Sequence, residues 1–121
     1  MWNNIESKED LETFMNINNK CKCFSVIELC YQANKVNSLI MKLQSNNKSN
    51  IMELRFDDIN ELSLKPPKYR ENEERKGFTV MMESNQITWF DSSVNDEDYE
   101  ILYCQKEVTW VKAKKLGWRK L

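Results

Sequence analysis

One stretch with a period of two constrains the fold more than any other part of the chain. Between positions 51 and 57 apolar residues alternate with charged ones; the apolar residues are Met52, Leu54 and Phe56. Successive side chains of a strand point to opposite faces, so this pattern predicts a strand with one face on a core and one in water. The alternation resumes after Asp57-Asp58, which we interpret as a bend, and Pro66-Pro67 ends it because proline cannot donate to a sheet ladder.

Four further segments are predicted to contribute strands. They are residues 21–31, residues 39–44, residues 78–90 as a hairpin that turns at Ser84-Asn85, and residues 108–113, with 116–119 closing the chain. Apolar residues occur on both faces of segment 21–31, which predicts a strand buried on much of both sides. The spacing therefore indicates about six or seven strands joined by short connections.

The N-terminal segment predicts the one helix of the chain. Ser7 and Asp10 form an S-x-x-D capping box, and apolar residues follow at helical spacing, so we expect a helix over about residues 7–17. Strands and helices do not alternate along the chain, so a parallel doubly wound sheet is not expected. We predict an α+β fold, a mostly antiparallel β meander with one N-terminal helix, as a single domain over residues 1–121.

Composition removes much of the usual catalytic chemistry. The chain has no histidine and only two glycines. Histidine is the commonest general base and a frequent metal ligand, and a phosphate-binding loop needs several glycines. We therefore expect a protein that is not an enzyme and that holds no cofactor.

Charge and hydropathy limit the partners. With 18 basic and 19 acidic residues the net charge is -1, so no field of one sign attracts nucleic acid or a membrane, and we expect neither as a partner. The first residues lack the basic and apolar regions of a signal peptide, and no apolar run approaches the roughly 18 residues needed to span a bilayer. We expect a cytoplasmic protein whose four cysteines are reduced.

Two patterns resemble metal sites, and neither is complete. Cys21 and Cys23 share one face of a strand, but a second C-x-C or C-x-x-C pair is missing, so we interpret the cysteines as small buried apolar residues. Residues 91–102 begin like a calcium loop and then depart from it at Asp96, where glycine is needed, and at Leu102, where glutamate is needed. We predict no metal at either place.

The acidic segment 91–100 is the candidate partner-binding site. Its acidic residues are Asp91, Asp96, Glu97, Asp98 and Glu100. A solvated loop explains them, and so does an electrostatic docking patch for a basic protein partner. The charged segment 68–76 is a second candidate surface for such a partner.

The C-terminal segment combines basic and aromatic residues. Five basic residues surround Trp110 and Trp118, a pattern used to bind single-stranded nucleic acid and equally typical of a strand whose lysines protect a sheet edge. The near-neutral chain favours the edge strand. We expect Trp118 and Arg119 to anchor the chain end, with the indole buried and the guanidinium bonded to carbonyl oxygens or to a carboxylate such as Asp57.

Three motifs resemble those of a family of small uncharacterised bacterial proteins. They are W-x-x-I at residues 2–5, I-x-W-x-D at 87–91 and A-x-x-L-x-W-R at 113–119. The family often carries F-H-D-S-C at its first strand, where this chain has Lys20-Cys-Lys-Cys-Phe24, so a site built on that histidine and aspartate would be changed here. The layout is also similar to immunity proteins of bacterial toxin systems. The resemblance implies a fold and assigns no activity.

We therefore predict a protein-binding module of the immunity type. One alternative is a small-molecule or metal-binding domain with an aromatic pocket lined by Trp89, Trp110 and Cys104. The other is a structural module that associates with itself through a sheet edge. The sequence leaves the oligomeric state open.

Overall fold

The structure, a computed structural model, describes residues 1–18, 24–32, 37–45, 50–64, 78–90 and 109–121. These residues form one helix and seven strands. The strands are β1 Asn3–Ile5, β2 Phe24–Gln32, β3 Ser38–Ser45, β4 Ile51–Ser63, β5 Thr79–Glu83, β6 Gln86–Phe90 and β7 Trp110–Lys120, and the helix is α1 Lys8–Ile17. The sheet-dominated α+β class predicted from the sequence is confirmed.

All strand pairs of the sheet are antiparallel, in the order β2-β3-β4-β7-β6-β5, with β1 also paired to β7. This order differs from a single meander. Two three-stranded meanders, β2–β4 and β5–β7, are joined where β4 pairs with β7. The prediction that the lysines of the last strand protect a sheet edge is wrong, because β7 has neighbours on both sides and lies inside the sheet.

Local hydrogen bonds fix both ends of α1. The Asp10 amide donates to Ser7 Oγ at 3.1 Å, and the Glu6 amide donates to Asp10 Oδ2 at 3.0 Å, which confirms the predicted helix start. At the other end the Asn18 side-chain amide donates to the Phe14 carbonyl oxygen at 2.9 Å. No helix among the described residues has the length and apolar character needed to cross a membrane.

The alternation of buried residues on β4 is interrupted at Asp57-Asp58. Met52, Leu54 and Phe56 are buried, and the next buried residue is Ile59, three positions later. Asp58 has a φ of 54°, a left-handed conformation that aspartate tolerates better than most residues. The predicted bend therefore lies inside one continuous strand, which the sequence pattern had divided in two.

The β5–β6 hairpin agrees with its sequence pattern. Ser84 and Asn85 form the connecting turn with φ values of 37° and 66°. Positive φ at both turn residues matches the right-handed twist of the flanking strands, and asparagine is among the residues that adopt it at low cost. The predicted hairpin is confirmed.

Aromatic side chains close the core beneath a strongly curved sheet. Phe24 of β2 and Phe78, just before β5, come from opposite edges of the sheet, yet their ring centroids are 6.3 Å apart. Phe14, the buried residue of α1, lies 6.3 Å from Phe78 and 5.4 Å from Trp118 of β7, again between ring centroids. The sheet therefore curls over its own apolar face, and α1 packs against the aromatic centre.

Strand β2 is not buried on both sides, so that prediction is wrong. Its first residue, Phe24, is buried, but residues 27–32 are all exposed, because β2 lies at the edge of the described sheet and pairs there only with β3. A register shift between Val26 and Glu28 separates the two parts. Their spacing alone assigns the apolar residues of the exposed part to a buried face, because spacing does not show which strand lies at a sheet edge.

We expect Trp118→Ala to lower the free energy of unfolding by about 3–5 kcal/mol, the range for removing a large buried aromatic side chain. Trp118 is only 9% exposed and contacts Phe14 of the helix, so the substitution leaves a cavity between α1 and β7. Chemical denaturation measures the change. Lys120→Ala is the control: Lys120 lies two residues further along the same strand, is exposed, and should change stability by less than about 0.5 kcal/mol. Equal stability of Trp118→Ala and Lys120→Ala would contradict the anchoring role.

Candidate functional site

The pairing of β7 is interrupted on one side. β4 pairs with β7 along its length, whereas the opposite side is shared by β6, at residues 110–113, and β1, at residues 116–118. Lys114 and Lys115 lie between the two short strands and have no strand neighbour on that side in the described sheet. Both lysines are exposed. The interruption leaves a gap in the sheet two residues wide.

A cleft of about 570 Å³ opens at this gap. β7 forms its base, the end of β1 and the β5–β6 hairpin form opposite walls, and Arg55 and Asp57 of β4 complete it. The volume lies within the range of roughly 300–1,000 Å³ that is usual for small-molecule sites. The cleft combines charged side chains with an aromatic one, Trp2.

The charged groups at the cleft are not equally paired. Arg55 Nε lies 3.2 Å from Asp57 Oδ2, while Lys115 Nζ lies 3.7 Å from Asp58 Oδ2. Lys114 has no ion-pair partner among the residues that the structure describes. Arg55 is therefore held close to a carboxylate, whereas Lys114 and, to a lesser degree, Lys115 keep positive charge available to solvent.

Gly117 permits the close approach of β1 beside the cleft. In register it lies between Arg55 of β4 and Asn4 of β1. A Cβ atom at position 117 would lie 3.3 Å from Asn4 Oδ1 and 3.6 Å from Trp2 Cβ. The missing side chain keeps the base of the cleft open and lets β1 lie against β7.

Arg119 fixes the N-terminal wall of the cleft. Its Nη2 and Nε atoms lie 2.7 Å and 2.8 Å from Glu53 Oε1, directly across the β4–β7 pair. Its Cζ atom lies 4.2 Å from the centroid of the Trp2 ring, a cation–π distance. The carboxylate partner is thus Glu53, where the sequence suggested Asp57, and the contact ties the chain start to the last strand.

The Arg119–Glu53 pair belongs to a row of alternating charges on the outer face of the sheet. Glu28, Lys42, Glu53 and Arg119 lie opposite one another in register across β2, β3, β4 and β7. Lys42 Nζ lies 3.2 Å from Glu28 Oε2. Opposite charges on neighbouring strands stabilise a sheet modestly, so this row is a structural feature that leaves little net charge on its part of the face.

Most sequence-predicted site residues lie outside the described part of the chain. This holds for the acidic candidates Asp91, Asp96, Glu97, Asp98 and Glu100, for segment 68–76, and for Cys21, Cys23 and Cys104. Cys30 lies on β2 and is exposed, so the interpretation of the cysteines as small buried residues is wrong for Cys30. Within the described residues no group of three or more histidine, cysteine, aspartate or glutamate side chains is placed to hold a metal ion.

The tryptophans proposed for an aromatic pocket lie elsewhere. Trp89 is fully buried, with ring centroids 6.3 Å from Phe56 and 5.7 Å from Phe78, and Trp110 is 7% exposed. Neither lines the cleft, where the aromatic residue is Trp2. Sequence reasoning gave Trp2 no site role and considered Lys114 and Lys115 only among the basic residues around Trp110 and Trp118. The available signal for a site at these two lysines was the step of three positions between Ala113 and Leu116, which breaks the alternation of the last strand.

No protein-family model, curated protein or solved structure matches this chain. The resemblance to small bacterial proteins, made from short motifs, and the similarity to immunity proteins, made from the layout of the chain, therefore stay predictions.

We expect Arg119 and Glu53 to be energetically coupled. Arg119→Met leaves the Glu53 side chain, which is only 12% exposed, without its cationic partner, so the free energy of unfolding should fall by about 1–3 kcal/mol. The double variant Arg119→Met/Glu53→Met should lose less than the sum of the single changes. Urea denaturation of the four proteins gives the coupling energy, and Lys120→Met is the control for losing a cation nearby. Additive single changes would show that the pair contributes no stability.

Proposed function

We propose that this protein is a non-enzymatic, protein-binding module of the immunity type and that the exposed edge of β2 is a docking surface. The observation that carries the proposal is the accessibility of this edge. Ile27, Leu29 and Tyr31 are 49%, 36% and 45% exposed on a strand that, within the described residues, has a sheet neighbour on one side only. Exposed apolar residues grouped on one element mark interaction sites more often than isolated ones do.

Strand β2 lacks two common protections against strand addition. Exposed edges usually carry lysine or proline, which disfavour pairing with another chain. β2 contains neither, and its one charged residue, Glu28, is engaged by Lys42. The register shift after Val26 bends the strand but leaves residues 28–32 regularly paired to β3. The outer edge of that part is therefore suited to accept a further strand.

The partner that fits this edge is an extended segment of another protein. Main-chain hydrogen bonds to β2 would supply affinity, and apolar side chains of the segment would pack beside Leu29 and Tyr31. The acidic residues of segment 91–100 would supply a second, electrostatic contact that favours a basic partner. In an immunity pair such a partner is a toxin domain, whose active surface the module covers.

We expect Leu29→Lys/Tyr31→Lys to abolish capture of the partner while the protein stays folded. Both residues are exposed, so lysine is tolerated there, and lysine on an edge opposes the addition of a strand. The control is Asn60→Lys/Leu64→Lys, which adds the same charge at two exposed positions away from β2. Tagged proteins are incubated with native cytosol, bound proteins are identified by mass spectrometry, and circular dichroism checks the fold.

Three outcomes are informative. One protein retained at equal stoichiometry by wild type and the control, and lost by the β2 variant, supports the proposal. Equal retention by all three proteins excludes the β2 edge. Light scattering tests self-association. If wild type has the molar mass of a dimer and the β2 variant that of a monomer, the edge binds a second copy of the chain instead.

The acidic segment gives a separate prediction. Asp96→Lys, Glu97→Lys and Asp98→Lys together reverse three charges, so the association rate with a basic partner should fall by about tenfold or more at low salt. Surface plasmon resonance against the captured partner, repeated at high salt, measures the effect. An association rate equal to that of wild type would remove this segment from the interface and leave the β2 proposal unchanged.

A small-molecule function is the second candidate, and the cleft at the gap in β7 favours it. The cleft is preformed and brings charged groups and an indole together. It shares no residue with β2, so the two functions are compatible and are tested by different variants.

A further inference from the structure

We propose that the cleft at the gap in β7 binds a small molecule through an anionic carboxylate or phosphate group, with Lys114 and Lys115 as its binding cations. This inference does not depend on the protein-binding function proposed for β2, because it rests on other residues.

The charge distribution at the cleft selects an anion. Three cationic side chains line it, Arg55, Lys114 and Lys115, against two carboxylates, Glu6 and Asp57. The Arg55 guanidinium is already bound to Asp57, and Asp57 is thereby satisfied. The remaining charged groups are Glu6 and the two lysines, which leave an excess of one positive charge at the cleft, and lysine ammonium groups are common phosphate and carboxylate ligands.

Lys115 can exchange its present partner for a ligand. Its Nζ atom is 3.7 Å from Asp58, a loose contact, and the two side chains are 71% and 45% exposed. Exposed pairs of this kind contribute at most about 1 kcal/mol, so an anion that contacts both lysines can compete with Asp58. Lys114, the neighbouring residue, has no carboxylate partner to release among the residues that the structure describes.

The gap in the sheet also offers backbone hydrogen-bonding groups to a ligand. Neighbouring residues of a strand direct their backbone N–H and C=O groups to opposite sides, so one of the two lysines turns its backbone groups toward the gap, away from β4. No described strand pairs there between Ile5 of β1 and Ile87 of β6. A backbone N–H at such an interruption can donate to an anion oxygen, as it does in other backbone anion sites.

The walls of the cleft are held in place by protein contacts. Trp2 is stacked on Arg119, whose guanidinium is fixed by Glu53, and Gly117 leaves the base free of a side chain. The indole provides an apolar surface for the carbon part of a ligand. A preformed site loses less conformational entropy on binding than one that must first order its walls. The small width of the gap and the near-neutral chain favour a small anion over a nucleic acid.

Titration with inorganic phosphate and with succinate tests the proposal. Amide chemical shifts of the full chain are followed by two-dimensional NMR at constant ionic strength, with chloride as the reference anion. Wild type should show saturable shifts centred on residues 114–117 with at least one of the two anions. In Lys114→Gln/Lys115→Gln the apparent Kd should rise by about tenfold or more, since two charge-assisted contacts are lost.

Matched variants separate the cleft from general charge effects. Lys8→Gln/Lys120→Gln removes the same charge at exposed positions outside the cleft and should bind like wild type. Gly117→Ala fills the base of the cleft without changing charge and should also weaken binding, provided its spectrum shows a folded protein. If Gly117→Ala is unfolded, the comparison of Lys114→Gln/Lys115→Gln with Lys8→Gln/Lys120→Gln is sufficient to test the site.

Each outcome supports or overturns the site. Saturation by phosphate alone assigns a phosphate ligand, and saturation by succinate alone assigns a carboxylate. Shifts that do not saturate with either anion, or equal weakening in the cleft and control lysine pairs, would overturn the proposal. Partner capture through β2 should be the same in the lysine variants and in wild type, so failure here leaves the protein-binding function untouched.

Discussion

The pairing of β4 with β7 is the constraint on which the rest of the structure depends. These are the longest strands, of 13 and 11 residues, and they join two three-stranded meanders into one sheet. Their core-facing residues meet in register, Leu54 opposite Trp118 and Phe56 opposite Leu116. Without this pair each meander would leave its apolar face in water, because the two halves of the sheet would no longer close over a shared core.

The same pairing produces the cleft. Because β4 occupies one side of β7, the other side is left to β1 and β6, which have 3 and 5 residues and together do not cover it. The uncovered position coincides with the step in the buried face, where Asp57 pairs with Lys115 and Asp58 adopts positive φ. At this position Asp57 and Asp58 of β4 and Lys114 and Lys115 of β7 interrupt the buried face, so charged side chains lie at the gap. The pairing register of β4 with β7 therefore produces both the core and the cleft.

The two candidate surfaces differ in their chemistry. The edge of β2 offers apolar side chains and a main chain with no strand partner on its outer side among the described residues, which suits a macromolecular partner. The cleft offers lysines, a glycine and an indole within a small volume, which suits a small ligand. Between them, the row from Glu28 to Arg119 is compensated charge by charge. The outer face of the sheet therefore carries little net charge along that row, and the two candidate binding surfaces lie on either side of it.

The sequence by itself determined those features that depend on neighbours within a few residues. The helix start at Ser7 and Asp10, the Ser84-Asn85 hairpin and the buried face of β4 at Met52, Leu54 and Phe56 follow from capping, turn conformation and a period of two. Only the tertiary structure decided which strands are neighbours. A period of two specifies a face and says nothing about the strand alongside, so the central place of β7, the exposure of β2 and the gap at Lys114 were not available from the pattern. Arg119 binds Glu53, 66 positions away, because register brings them together. Contacts between distant segments depend on how the chain closes its core, and short-range sequence patterns do not encode that closure.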